Sequence, residues 1–239
     1  YVRRVQSENR VVQKMSEALK LDTSVVDGLL RHWIASPANP AAASLDAFLA
    51  PAFADSDPAV PLTSAAFPAV FKALARLQKA AFVLRGLGGR SEDVEFVFQL
   101  ASGAGWLDLN ALPLVAGDPA ASFDGWERLV ELFRWKSDLP GGDSLFEPLE
   151  RAVSFQPSGN PAPANAAKAA ILGLWSRVAG WPLVEMEALL GNSNNAADTG
   201  LLDIRFPIQA NDPNDYSDIR TWLRLSECFA HMKRLGVSA

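Results

Sequence analysis

The feature that most constrains this chain is Ala65 to Leu100, which reads as a helix, a glycine-rich turn and a second helix. Phe67, Val70, Phe71, Leu74, Leu77, Ala81 and Leu84 recur at steps of three and four, while Lys72, Arg76 and Lys79 share the opposite side. The run stops at Gly86-Leu87-Gly88-Gly89, where glycine can take the left-handed conformation that closes a helix. Arg85 suits the negative end of the helix dipole. Ser91 is expected as the next N-cap, with Glu92 and Asp93 in the first turn and Val94, Val97, Phe98 and Ala101 as the next apolar stripe. The unit is therefore read as a helical hairpin.

The same style recurs along the chain. Val5, Val12, Met15 and Leu19 give a helix ending near Leu21, and Asp22, Thr23 and Ser24 offer caps for Val25 to Ile34. Five prolines between Ala35 and Thr63 leave space only for a short helix around Ser44 to Ala50. Further helices are expected from Phe123 or Asp124 to Leu139, from Leu145 to Phe155, from Asn165 to Ala179, from Leu183 to Leu190, and from a Ser217 or Asp218 cap onward. Ile204-Arg205-Phe206-Pro207-Ile208 alternates like a short edge strand, since Pro207 forbids a central one. Glycine stops followed by new starts lie near 21–24, 86–91, 180–183 and 235–238. Their separations are irregular, so no fixed-period repeat is read.

The expected fold is all-α, about ten helices in irregular antiparallel hairpins joined by long Pro/Ala and Asn/Asp loops. A single domain over 1–239 is expected, with possible sub-boundaries near 113–122 and 156–164. Hydrophobic residues make up 49% of the 239, enough for a real core. A formal charge of −5 excludes a protein that tracks a nucleic-acid backbone. One cysteine, Cys228, excludes an internal disulfide framework. No apolar run reaches the roughly 18 residues of a membrane span. The opening without Met and the cap-like Ser238 one residue before the end lead to the expectation of a piece of a longer polypeptide.

No catalytic signature, metal set or cofactor motif is read, and no enzyme is expected. Cys228 and His231 share a helix face at a spacing of three, yet zinc needs three or four ligands and His32 is the one other histidine. A Cys/His nucleophile is equally weak, because Cys228 sits mid-helix between Leu225 and Met232, where a thiol packs. Gly86-Leu87-Gly88-Gly89 follows a helix, whereas phosphate-binding glycine loops follow a strand. Trp126, Trp175 and Trp222 are in phase with apolar stripes and are assigned to the core. Trp33, Trp106, Trp135 and Trp181 stand near helix ends, where a partner surface or the next layer can cover them, and are the candidates for contact with a partner.

Three passages together carry a family resemblance: Phe82-Val83-Leu84-Arg85-Gly86-Leu87 with Ser91-Glu92-Asp93-Val94, then Leu174-Trp175-Ser176-Arg177-Val178-Ala179-Gly180-Trp181, then Leu223-Arg224-Leu225-Ser226-Glu227-Cys228-Phe229 running into Lys233-Arg234-Leu235-Gly236-Val237-Ser238. They resemble the α-helical part of the A subunits of insecticidal Tc toxin complexes, the family related to the Salmonella virulence plasmid A protein. The resemblance implies a secreted or cell-surface-associated bacterial homopentamer. In it, a helical shell surrounds a channel that delivers a cytotoxic component after receptor binding and a pH-triggered change. This segment would be shell, in contact with other regions and protomers of its parent. No channel hairpin, receptor domain or catalytic residue carries over. The alternative reading is a helical virulence scaffold that binds a host protein or glycan.

Overall fold

The computed structural model describes residues 2–36, 42–57 and 59–238. Among these the chain is all-α, 64% helical, with twelve α-helices and no strand. Packing divides it into two compact units, one of residues 1–99 and 107–123 and the other of 100–106 and 124–239. The first crossing between units is at 99/100 and the last at 123/124, just past the 113–122 linker. The 156–164 stretch lies inside the second unit.

The first unit contains α1 (Val2–Leu19), α2 (Thr23–Gly28), α3 (Leu45–Leu49), α4 (Pro51–Ala54), α5 (Pro68–Leu87) and α6 (Ser91–Gln99). α2 runs without a break into a π turn, Leu29–Trp33. The expected short helix around Ser44 to Ala50 is α3, and Pro51 at an N1 position starts a further one, α4. At the central turn Gly88 takes φ +68°, Gly88 N donates to the Arg85 carbonyl (3.3 Å) and Gly89 N to that of Leu84 (2.9 Å). That pair of bonds is a Schellman stop.

Two details differ from the hairpin reading. Ser91 is the first helical residue, and Asp93 does the capping by accepting from Arg90 N (3.0 Å). α6 then packs on α2 and the π turn rather than back along α5. The α5 stripe also extends beyond the expected residues, with Ala73, Ala80 and Val83 buried and Phe71 and Leu74 only half-buried. Arg76 leaves the expected wet side to donate to the Ala35 carbonyl (3.0 Å), and Lys79 reaches the Pro113 carbonyl. Both cations satisfy loop carbonyls that have no helix or sheet partner.

The second unit contains α7 (Ala101–Ala104), α8 (Phe123–Asp138, from Asp124 onward), α9 (Phe146–Ser154), α10 (Pro161–Ala179), α11 (Leu183–Leu190) and α12 (Ile219–Leu235). α10 is its spine and packs on α9 and α11. Asn160 caps α10 through Ala162 N, and Asp218 caps α12 through Arg220 N (2.9 Å). Gly180 and Gly236 close these two helices at φ +72° and +66°.

The expected strand at 204–208 does not form. Its backbone is satisfied by loops instead. Asp215 N donates to the Arg205 carbonyl (3.1 Å), Asp215 Oδ2 accepts from Arg205 N (2.8 Å), and the Ile208 carbonyl accepts from Gly159 N (2.8 Å). With Ile204 and Phe206 buried, the alternation of this segment reflects anchoring of a loop.

Candidate functional site

The tryptophans gather chiefly in the second unit. On α10, positions 164, 168, 171, 175 and 178 face inward, which puts Trp175 wholly inside. Trp175 stacks on Trp222 with centroids 4.3 Å apart and on Trp135 at 5.3 Å. Trp135 in turn meets Trp181 at 6.1 Å, and Trp181 lies parallel to Phe229 at 4.9 Å. At the other end Trp222 meets Tyr216 edge-on at 5.5 Å, and Tyr216 meets Phe206 at 5.1 Å. Offset and edge-on pairs at these spacings suit the ring quadrupoles. The result is a ladder of rings from Phe206 to Phe229.

This placement revises the expected partner residues. Trp106 and Trp135 are only 4% and 7% exposed, so other parts of the chain cover most of each ring. Trp106 meets Phe146 edge-on, and Trp135 Nε1 donates to Ser226 Oγ (3.2 Å). Sequence spacing placed both near helix ends, but their covering groups come from α9, α10 and α12, far away in the chain. Trp33 and Trp181 keep part of their surface. Trp33 stacks loosely on Phe98 at 6.4 Å, and its carbonyl accepts from Asn110 Nδ2 (2.8 Å). Trp126, expected in the core, is half-buried.

Trp181 is the half-buried tryptophan of the ring ladder. It stands with Phe229 in an open cleft of about 670 Å³, where Asp138, Glu185, Ser226 and Lys233 supply the polar groups. Two parallel rings flanked by carboxylates and a hydroxyl can stack on and hydrogen-bond a polar ring or a peptide. The cleft borders the second half of α12. There the apolar stripe loses its cover: Phe229 and Met232 are half-buried, Leu235 is 74% exposed and Val237 56%.

Cys228 is half-buried and His231 exposed on that same half of α12, while His32 belongs to the other unit. Among the described residues no group of three or more His, Cys, Asp or Glu side chains is placed to hold a metal ion. No helix among them is long and apolar enough to cross a membrane.

One cluster escaped the sequence reading. Lys168 is fully buried on α10 and donates through Nζ to the carbonyls of Asp198 (2.6 Å) and Asn195 (3.1 Å), with the Tyr216 ring 6.0 Å away. The 191–200 loop wraps around this ammonium. Asp198 accepts from Asn192 N and Gly200 N, Asn165 Oδ1 accepts from Ala196 N, and Tyr216 donates to the Leu190 carbonyl (3.2 Å). Burial lowers the Lys168 pKa to about 8, against the pull of Asp198 and Glu187, and raises that of Tyr216. The signal was available: Lys168 falls in phase with Ala164, Ile171 and Trp175, where a solvated lysine does not belong.

Comparison with protein-family models, with curated proteins and with solved structures finds no match to this chain.

Proposed function

We propose that this chain is a shell segment of a toxin A subunit of the Tc type, a rigid helical wall that supports assembly around a central translocation channel. The proposal rests on the three helix-and-stop phrases. In the structure each of them is a helix closed by a left-handed glycine: Gly88 after α5, Gly180 after α10 and Gly236 after α12.

One observation carries it: the apolar stripe on the second half of α12, which is only partly covered. Half-buried Phe229 and Met232 and exposed Leu235 continue an apolar stripe whose first half, Ile219, Trp222 and Leu225, is fully buried. A helix that is apolar on one side beyond its own core is a surface for a neighbouring layer. In a shell, that layer belongs to the same toxin subunit or to the next protomer.

The test is the native mass of the natural gene product. A homopentamer of a chain several times longer than this one supports the proposal, and a monomer of about this length rejects it.

The cleft at Trp181 favours a second reading, a scaffold that binds a host protein or glycan. It predicts saturable binding on a glycan array that Trp181→Ala abolishes and Trp33→Ala leaves intact. Glycan binding unaffected by Trp181→Ala would reject this cleft as the site.

A further inference from the structure

The two long helices of the first unit each keep an apolar edge that the core does not cover. On α1, Val11 and Met15 flank the buried Val12; on α5, Phe71 and Leu74 flank the buried Val70. Between them lies a groove of about 490 Å³, with Phe48 of α3 and Phe53 of α4 among the side chains that line it. Roughly 300–1,000 Å³ of mostly apolar space with a few placed polar groups is the usual description of a small-molecule pocket.

Charge and shape narrow the occupant. Arg10 and Lys14 are the charged side chains at the groove, both positive in a chain whose formal charge is −5. They are four residues apart on α1, so both heads project from one edge. Lys14 shares Glu17 (2.6 Å) at an exposed position, and Arg10 has no ion-pair partner among the described residues. The α1 wall runs from Ser7 to Met15, about 12 Å of helix at 1.5 Å per residue, and the α5 wall from Val70 to Leu74, about 6 Å. A single hydrocarbon tail with one anionic head matches an apolar slot that carries its cations along one wall.

We propose that this groove binds one fatty acid, the tail lying between α1 and α5 over Phe48 and the carboxylate held at the edge by Arg10 and Lys14. The occupant is independent of the toxin reading, because it requires only the first unit's own side chains.

Isothermal titration with monomeric dodecanoate at pH 7.5 tests it. One site per chain with a micromolar Kd is expected, and dodecyltrimethylammonium should bind at least about tenfold more weakly. Arg10→Glu combined with Lys14→Glu should weaken dodecanoate by about tenfold or more with an unchanged helical circular dichroism spectrum. Met15→Trp and, separately, Leu74→Trp should block binding by filling the slot. The proposal is overturned by absence of saturable binding, by equal binding of the two detergents, or by charge-reversed protein that binds dodecanoate as well as the parent does. Binding to anionic phosphatidylglycerol vesicles without binding of monomeric dodecanoate would also overturn it, and would point to a membrane surface. An acidic amphipathic peptide that binds where dodecanoate does not would overturn it in favour of a helix partner.

Discussion

The second unit fills its interior with stacked rings, while the first leaves an apolar slot open between two helices. Trp175 and Trp222 are wholly buried at 4.3 Å from one another, and the helices of their unit close around them. Phe71 and Leu74 of α5, by contrast, stand half-covered beside the groove. The difference teaches where each unit keeps its stability and where it keeps room. Removing a ring from a close-packed ladder leaves a cavity, whereas trimming a side chain at an open slot removes contacts that were only partly made.

Trp222→Ala should produce the largest loss, about 4 kcal/mol, because the indole is fully buried and its Nε1 donates to the Tyr216 carbonyl (2.9 Å). Urea denaturation followed by circular dichroism reads it, and a loss near zero would break the contrast between the units. Lys168→Ala comes next at about 3 kcal/mol, since two loop carbonyls lose their donor inside the protein.

The pH response sharpens the same point. Lys168 titrates near 8 when folded and near its ordinary 10.5 when unfolded, so across that interval the unfolded chain binds the extra proton and stability rises with pH. Tyr216 acts in the opposite sense. Its folded pKa is raised above the ordinary 10.0, so its contribution is present below that value and is lost as the unfolded phenol ionises at higher pH. The urea midpoint should therefore climb from pH 8 towards 10 and fall beyond it. Lys168→Met should flatten the climb, and an unflattened climb would assign it elsewhere.

Smaller effects belong to the first unit. Gly88→Ala should cost about 1 kcal/mol: a Cβ there meets nothing within 4 Å, so the loss is the strain of φ +68° alone. Leu74→Ala should cost about 0.5 kcal/mol, the value for a side chain on an open slot. A Leu74 loss as large as that of Trp222 would mean that the slot is filled core.

Much of the fold was legible because its signals are local. The Gly88 stop, the Asp218 cap and the α12 stripe depend on residues a turn apart, and the structure has all three. What was not legible depends on partners distant in sequence. Trp106 and Trp135 look like surface residues until α9 and α10 cover them, and α6 looks like the return arm of a hairpin until α2 and the π turn offer a better face. Alternation at 204–208 imitated a strand because a loop anchored by buried Ile204, Phe206 and Pro207 also leaves Arg205 outside. Lys168 was visible as a charge in an apolar register. Its partners, the carbonyls of a loop nearly thirty residues on, were not.

Hydrogen–deuterium exchange over residues 228–235 in the natural gene product tests most directly whether the partly covered half of α12 is a contact surface. Protection comparable to that of residues 219–225 is predicted, because a neighbouring layer would cover Phe229, Met232 and Leu235. Rapid exchange confined to 228–235, with 219–225 protected, would leave that stripe facing water and contradict the shell reading.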